Sequence, residues 1–219
     1  METDLSQAAL ANPLLAACAE GTRSGLLAAA IVREFRPGET LIEDGQPARV
    51  ALFPLAGTLQ MSKSTVRGRQ QIFCDSTVST CGGLCLLAFG PRALADVRGL
   101  TAGVVLIVPA DRFVRLVRQD PVLCQGAWQC ATACMAHLSD LVAQLSFKTV
   151  SERIADTLVH MTRADGDAVR LTQSELAALV GTTREVVARC VGELQAAGVI
   201  RVGRGRVIVL NRERLAALA

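Results

Sequence analysis

The sequence predicts an α+β chain in three parts: an antiparallel β-roll behind a short helical lead, one long helix, and a C-terminal helix-turn-helix with a β-hairpin wing. Three observations predict it. Residues 171–200, LTQSELAALVGTTREVVARCVGELQAAGVI, read as two helices around a glycine, and a β-branched hairpin follows at once. Residues 34–109 alternate short apolar runs with Pro-Gly, Asp-Gly, Ala-Gly and Arg-Gly turns, the texture of an antiparallel roll, sandwich or barrel. Residues 110–146 hold one proline, Pro121, and no turn signal, so a short helix and then a long one are expected.

Residues 5–32 are rich in alanine and leucine and read as short helices. Leu15-Ala16-Ala17-Cys18 spells a lipoprotein cleavage box, but Glu2 and Asp4 stand where a signal peptide carries positive charge, and Asn12-Pro13 interrupts the apolar run. No run of 18 apolar residues occurs, so no membrane span is expected, and the protein is expected in the cytoplasm. Along the long helix, Cys124, Ala131, Leu138 and Leu145 recur by sevens, with Ala127, Cys134 and Leu141 as the companion row. These are the a and d positions of a short coiled coil, in which Cys134 would face its symmetry mate. Met135 and Val142 offer a shifted seam, and a helix packed on its own β-roll is the competing reading. Phe147-Lys148 reads as a hinge.

Within 171–200, Thr172 is an N-cap and Glu175, three residues on, completes a capping box. Leu176, Leu179 and Val180 lie on one side of the helix that follows. Gly181 ends that helix, and Thr182 or Thr183 caps the next. At 100° per residue, Arg184, Glu185, Ala188, Arg189 and Gly192 fall within about 140°, opposite Val186, Val187, Cys190, Val191 and Leu194. One face is apolar. The other offers arginine, which grips guanine O6 and N7 with two bonds, and a carboxylate, which accepts from cytosine N4. The hairpin VIRVGRGRVIVL, residues 199–210, turns at GRG and carries Arg201, Arg204 and Arg206, suited to phosphate.

Hydrophobic residues make up 51% of the chain, ample for a core. Residues 1–146 hold 12 basic and 12 acidic side chains, and residues 147–219 hold 11 and 8, so the whole net charge of +3 lies with the helix-turn-helix. A surplus that small fits DNA contact by a few placed arginines rather than a polybasic grip. Eight cysteines in an intracellular chain are not a disulfide framework. They are small hydrophobes, or redox and ligand groups. No nucleophile elbow, Walker loop or Rossmann fingerprint is present, and His137 and His160 lack a clear carboxylate partner, so an enzyme is not expected.

TREVVARCVGELQAAGVI resembles the recognition helix of the Crp/Fnr superfamily of bacterial transcription factors, and FKTVSERIADTLVHM extends the likeness upstream. Phe35-Arg-Pro-Gly38 with Asp44-Gly45 resembles the start of that superfamily's cyclic-nucleotide-binding β-roll, a jelly roll. The resemblance implies a sensing domain over residues 1–109, a dimerisation helix region over 110–146 and a winged helix-turn-helix over 147–219. It implies a homodimer on a pseudo-palindromic operator with TGTGA-like half-sites, Arg184 and Arg189 on guanines and Glu185 on a cytosine. Gln173, Ser174, Thr183, Arg204 and Arg206 complete the DNA contacts, and RNA polymerase is the expected further partner.

The family's phosphate cassette corresponds to Gly82, Gly83, Leu84 and Cys85 through Arg92 and Ala93, with Leu138 and Ser139 on the long helix. Arg92 keeps the phosphate-binding arginine. Gly83 stands in place of the ribose-binding glutamate, Ala93 in place of a serine, and Leu138 in place of an adenine-facing threonine. Each lost charge-assisted bond weakens binding about tenfold or more, so cyclic AMP is not the expected effector. Cys74, Cys81 and Cys85 near the cassette, and Cys124, Cys130 and Cys134 on the helix, leave thiol, metal or iron–sulfur sensing open, as well as a haem with cysteine or His137 as axial ligand. Their spacings match no recognised zinc or cluster motif.

Overall fold

The apolar run Val50–Ala56 (β3) is longer than a half-buried strand requires, because both of its faces are covered. Leu52 points into the interior of the roll, while Ala51, Phe53 and Leu55 join a second core under the helices. The computed structural model describes residues 2–47, 49–66, 69–77 and 84–219, with side chains from residue 5. β3 pairs with Gly103–Pro109 (β7), which pairs with Ile31–Phe35 (β1), giving the antiparallel order β1-β7-β3. Pro54 is accommodated because β3 is the edge of that sheet, and the register shifts beside it. The facing sheet runs Thr40–Ile42 (β2), Asp96–Gly99 (β6), Leu59–Ser64 (β4) and Gln70–Ser76 (β5), in the order β2-β6-β4-β5. Phe35, Leu52, Leu59, Val97 and Val105 fill the space between the sheets. The antiparallel roll expected from the glycine turns is present, and it begins at Ile31, three residues before the change in texture at Glu34.

The helical lead consists of Glu2–Leu10 (α1), Pro13–Ala17 (α2) and Glu20–Ala29 (α3). Asn12 caps α2, its Oδ1 accepting from the Leu14 and Leu15 amides at 3.1 and 3.3 Å. A 3-10 turn, Leu84–Phe89, and the helix Ala110–Gln119 (α4) close the second core with Phe113, edge-on to Phe53 at 5.7 Å. The long helix is Pro121–Phe147 (α5). Asp120 starts it, accepting from the Val122 and Leu123 amides at 2.8 and 3.2 Å while binding the Ala19 amide at 3.2 Å. A hydrogen bond from Thr22, then the backbone amides, hold the Asp120 carboxyl below its ordinary range.

The chain divides into two compact units, residues 1–63 with 73–138, and residues 64–72 with 139–219, the division falling inside α5. In the second unit, Val150–Met161 (α6) opens on a capping box of Thr149 and Glu152. Ala168–Val169 (β8), Gln173–Val180 (α7), Arg184–Ala196 (α8), Ile200–Gly203 (β9), Arg206–Val209 (β10) and Arg212–Ala216 (α9) follow. The strands form a small antiparallel sheet, β8-β10-β9. Its core is Ile154, Leu158, Leu176, Val187, Val191, Leu194, Ile200 and Val209. Arg153 is buried there, donating from Nε to the Val180 carbonyl at 2.8 Å and from Nη1 to the Lys148 carbonyl at 2.7 Å. It ties the end of α7 to the start of α6, a role no sequence periodicity signals.

Candidate nucleic-acid interface and effector cavity

The helix-turn-helix is built by its caps. Thr172 Oγ1 accepts from the Glu175 amide at 3.2 Å, and Glu175 reaches back to the Thr172 amide at 2.6 Å. Gly181 takes φ 69°, the left-handed angle that ends α7. Thr183, rather than Thr182, is the N-cap of α8, although its hydroxyl makes no bond to the first-turn amides. That hydroxyl bonds to Glu185 instead. With the residue's own backbone amide as the larger cause and the Arg184 charge as the lesser, it keeps the Glu185 carboxyl below its ordinary range.

The wheel read from sequence describes α8 well. Arg184, Glu185, Ala188, Arg189 and Gly192 are exposed; Val187, Cys190, Val191 and Leu194 are buried, with Val186 half-buried at the border. On α7, Ala177 and Ala178 are buried beside Leu176 and Val180, whereas Leu179 is only half-buried. The wing turns at Arg204-Gly205, with Arg206 opposite Gly203, and Arg201, Arg204 and Arg206 are exposed. A cavity of about 380 Å³ lies between the starts of α7 and α8 and the wing, and it gathers Gln173, Ser174, Arg184 and Arg206. Thr183, Glu185, Arg189 and Arg204 are not on its lining. Two helix N-termini and two arginines thus face one groove region, a setting that favours anionic phosphate.

In the first unit a larger cavity, about 780 Å³, is bounded by α5, the strands β4 and β5 and the corner between α1 and α2. Of the residues expected at an effector site, Leu138 lines it. Leu84 and Ala93 are buried in the roll, Cys85 is buried in the second core, and Ser139 is exposed. Arg92 is exposed, and its Nη1 donates to the Gly45 carbonyl at 2.8 Å. Gly82, Gly83 and Cys81 lie outside the described residues.

Cys74, Cys130 and Cys134 do come together on this cavity, with His137, whose Nε2–H donates to the Phe73 carbonyl. Cys124 packs toward the second core instead. Burial pushes the Cys74 thiol from its ordinary value of 9.0 to about 11, with Cys134, Asp75 and Cys130 adding to the rise. Cys134 is raised too, again chiefly by burial. Such thiols are protonated at neutral pH and are poor nucleophiles. Among the described residues no group of three or more His, Cys, Asp or Glu is arranged to hold a metal ion.

The seam placement of Cys134 needs correction. Ala127 is buried in its own unit and Cys134 lines the cavity, so this row is turned inward. The large apolar residues α5 exposes by sevens are Trp128, Met135 and Val142, at 69, 67 and 62%. The sequence signal missed Asn12 among the residues lining the cavity, because Asn12-Pro13 reads along the chain only as an interruption of an apolar run. Among the described residues no helix is long and apolar enough to cross a membrane.

Two family models match the chain. Residues 32–120 match the cyclic nucleotide-binding domain and residues 152–218 the Crp-like helix-turn-helix domain. The cAMP-activated global transcriptional regulator CRP of Salmonella typhimurium is 27% identical over 192 residues, covering 84% of this chain and 90% of that protein. The CRP-like cAMP-activated global transcriptional regulator of Mycobacterium tuberculosis is 24% identical over 205 residues, covering 87% and 91%. Among solved structures, the c-di-GMP responsive global regulator CLP of Xanthomonas campestris superposes with a TM-score of 0.77 at 20% identity, covering 88% of this chain and 99% of that one.

Proposed function

From the chain's membership of the Crp/Fnr superfamily of transcription regulators, we propose that it acts as a homodimer on a pseudo-palindromic operator, switched by an effector held in the α5 cavity. The observation that carries the DNA reading is the exposed face of α8, where Arg184, Glu185 and Arg189 stand clear of bulky neighbours. On this reading the two arginines take guanines and Glu185 a cytosine of a TGTGA-like half-site. Gln173, Ser174, Thr183, Arg204 and Arg206 hold the backbone, and RNA polymerase is the partner at the promoter. Residues 1–109 sense, 110–146 dimerise and 147–219 bind DNA, in the cytoplasm. Binding-site selection with the full chain is expected to return half-sites centred about 34 Å apart, one helical turn. A selection that yields no palindrome would contradict the dimeric reading.

The effector on this reading is not cyclic AMP. Arg92 is engaged by the Gly45 carbonyl and is absent from the lining of the cavity, and the cassette has Gly83 and Ala93 where cyclic-AMP binders have a carboxylate and a hydroxyl. Titration with cyclic AMP is expected to leave operator affinity unchanged. A second reading, thiol-based sensing, is favoured by the shared position of Cys74, Cys130 and Cys134; burial, which pushes the Cys74 and Cys134 thiols up, weighs against it. Operator binding measured before and after oxidant, with Cys134→Ser alongside, separates the two: affinity that follows the oxidant and is lost in the variant supports thiol sensing.

A further inference from the structure

The helix α4 buries Ala110, Phe113 and Val117 and leaves Arg112, Arg115 and Arg118 exposed. Its inner face is held by Phe113, edge-on to Phe53 at 5.7 Å and to Phe89 at 5.8 Å. Arg115 and Arg118, three residues apart, are neighbours on the outer face of that seated helix. Arg49 reaches the same place from another segment. Its carbonyl accepts from the Ala110 amide at 2.8 Å, which pins it beside the first turn of α4.

A cavity of about 370 Å³ is lined by Arg49, Arg115 and Arg118, with Ala88, Ala110 and Val114 as an apolar wall. It has no lining residue in common with the α5 cavity or with the cavity at the wing. Among the described residues none of the three arginines makes an ion pair or a side-chain hydrogen bond. The carboxylate on the lining, Asp111, lies 3.8 Å from Arg112 Nε, and Arg112 is not on the lining. Three cations and one anion leave a local charge of +2, although residues 1–146 hold 12 basic and 12 acidic side chains. The arginines are gathered here, not spread by a general excess.

Like charges held side by side repel, and a bound anion relieves the repulsion. A planar guanidinium meets a phosphoryl group with two parallel N–H bonds, and a phosphate monoester carries about −1.5 to −2 at neutral pH, a close match to the lining. The volume suits a small molecule, whose organic part would lie against Ala88, Ala110 and Val114.

We infer that this cavity is a further ligand site and binds a small phosphate monoester through Arg49, Arg115 and Arg118. The inference goes beyond the proposed function and depends neither on the operator nor on the effector reading.

The test is calorimetric titration of the full-length protein with phenyl phosphate and with benzenesulfonate, which share a ring and differ in charge. Both are measured in a background of Arg184→Gln with Arg206→Gln, which removes the arginines of the wing cavity. Phenyl phosphate is expected to bind about threefold more tightly than the singly charged sulfonate, the effect of one exposed charge. Adding Arg115→Gln with Arg118→Gln is expected to weaken phenyl phosphate about tenfold, and Arg49→Gln alone about threefold. No heat from phenyl phosphate at millimolar concentration, a sulfonate bound as tightly, or affinity unmoved by the α4 pair would overturn the inference. Indifference to Arg49→Gln would overturn it too, because an anion lying along one helix face needs no arginine from a second segment. The three positions are exposed, and the phosphate–sulfonate comparison needs no change in α4, so it stands even if a variant fails to fold.

Discussion

Arg184 is exposed at the first position of α8, with small Ala188 one turn on, so nothing on the helix hinders its approach to a base edge. Arg184→Ala is expected to cost about 1–3 kcal/mol of operator binding and to relax choice at one base pair, which competition with single-substituted operators would reveal. Cys74 makes a second claim at this scale. Its folded pKa of about 11 exceeds its ordinary 9.0 because burial disfavours the thiolate. The neutral thiol is therefore the form the fold prefers. That preference is fully present below pH 9.0 and is lost as pH rises through about 11. Alkylation of Cys74 by iodoacetamide, followed by mass spectrometry, is expected to stay slow at neutral pH and to accelerate with a midpoint near 11. Rapid labelling at pH 7 would restore the thiol sensor.

The wing is a two-residue turn between short strands, and Arg204 at its tip is exposed. An arginine so placed reaches phosphate rather than base edges. Arg204→Ala should weaken specific and unrelated DNA alike and reduce the slope of log affinity against log salt by about 1, measured by titration across salt concentrations. If only one sequence lost affinity, the wing would be reading bases. The helix pair before it was legible because caps are local chemistry. Thr172, Glu175 and Gly181 each act within four residues, so spacing alone revealed them. The α5 seam was not. Small residues recur at several phases of that helix, and a heptad count cannot tell a face turned to its own roll from one turned outward.

For the whole molecule, the row Trp128, Met135 and Val142 is a heptad-spaced part of the apolar surface α5 leaves uncovered, and the proposed dimer would bury it. Trp128→Glu with Met135→Glu is expected to give a monomer by sedimentation equilibrium and to cost most of the operator affinity, because two half-sites would no longer be bound by one particle. A dimer that persists would assign the contact to another surface.

By itself the sequence determined the α+β class, the helix-turn-helix, the wing and the face of α8 that carries Arg184, Glu185 and Arg189. Each of these follows from local caps, turn residues or a single period, and the exposed positions agree with the wheel. It also held the family resemblance, which the matched domains bear out. Tertiary structure alone decided what α5 faces, because burial there depends on strands about 45 or more residues away in sequence. Contact across the fold turned Cys134 inward and raised the thiols. It gave Arg92 to the Gly45 carbonyl and left Asn12 Nδ2 buried without a hydrogen-bond partner among the described residues. Whether a polar group is satisfied is a property of what surrounds it in space, and no spacing along the chain encodes that.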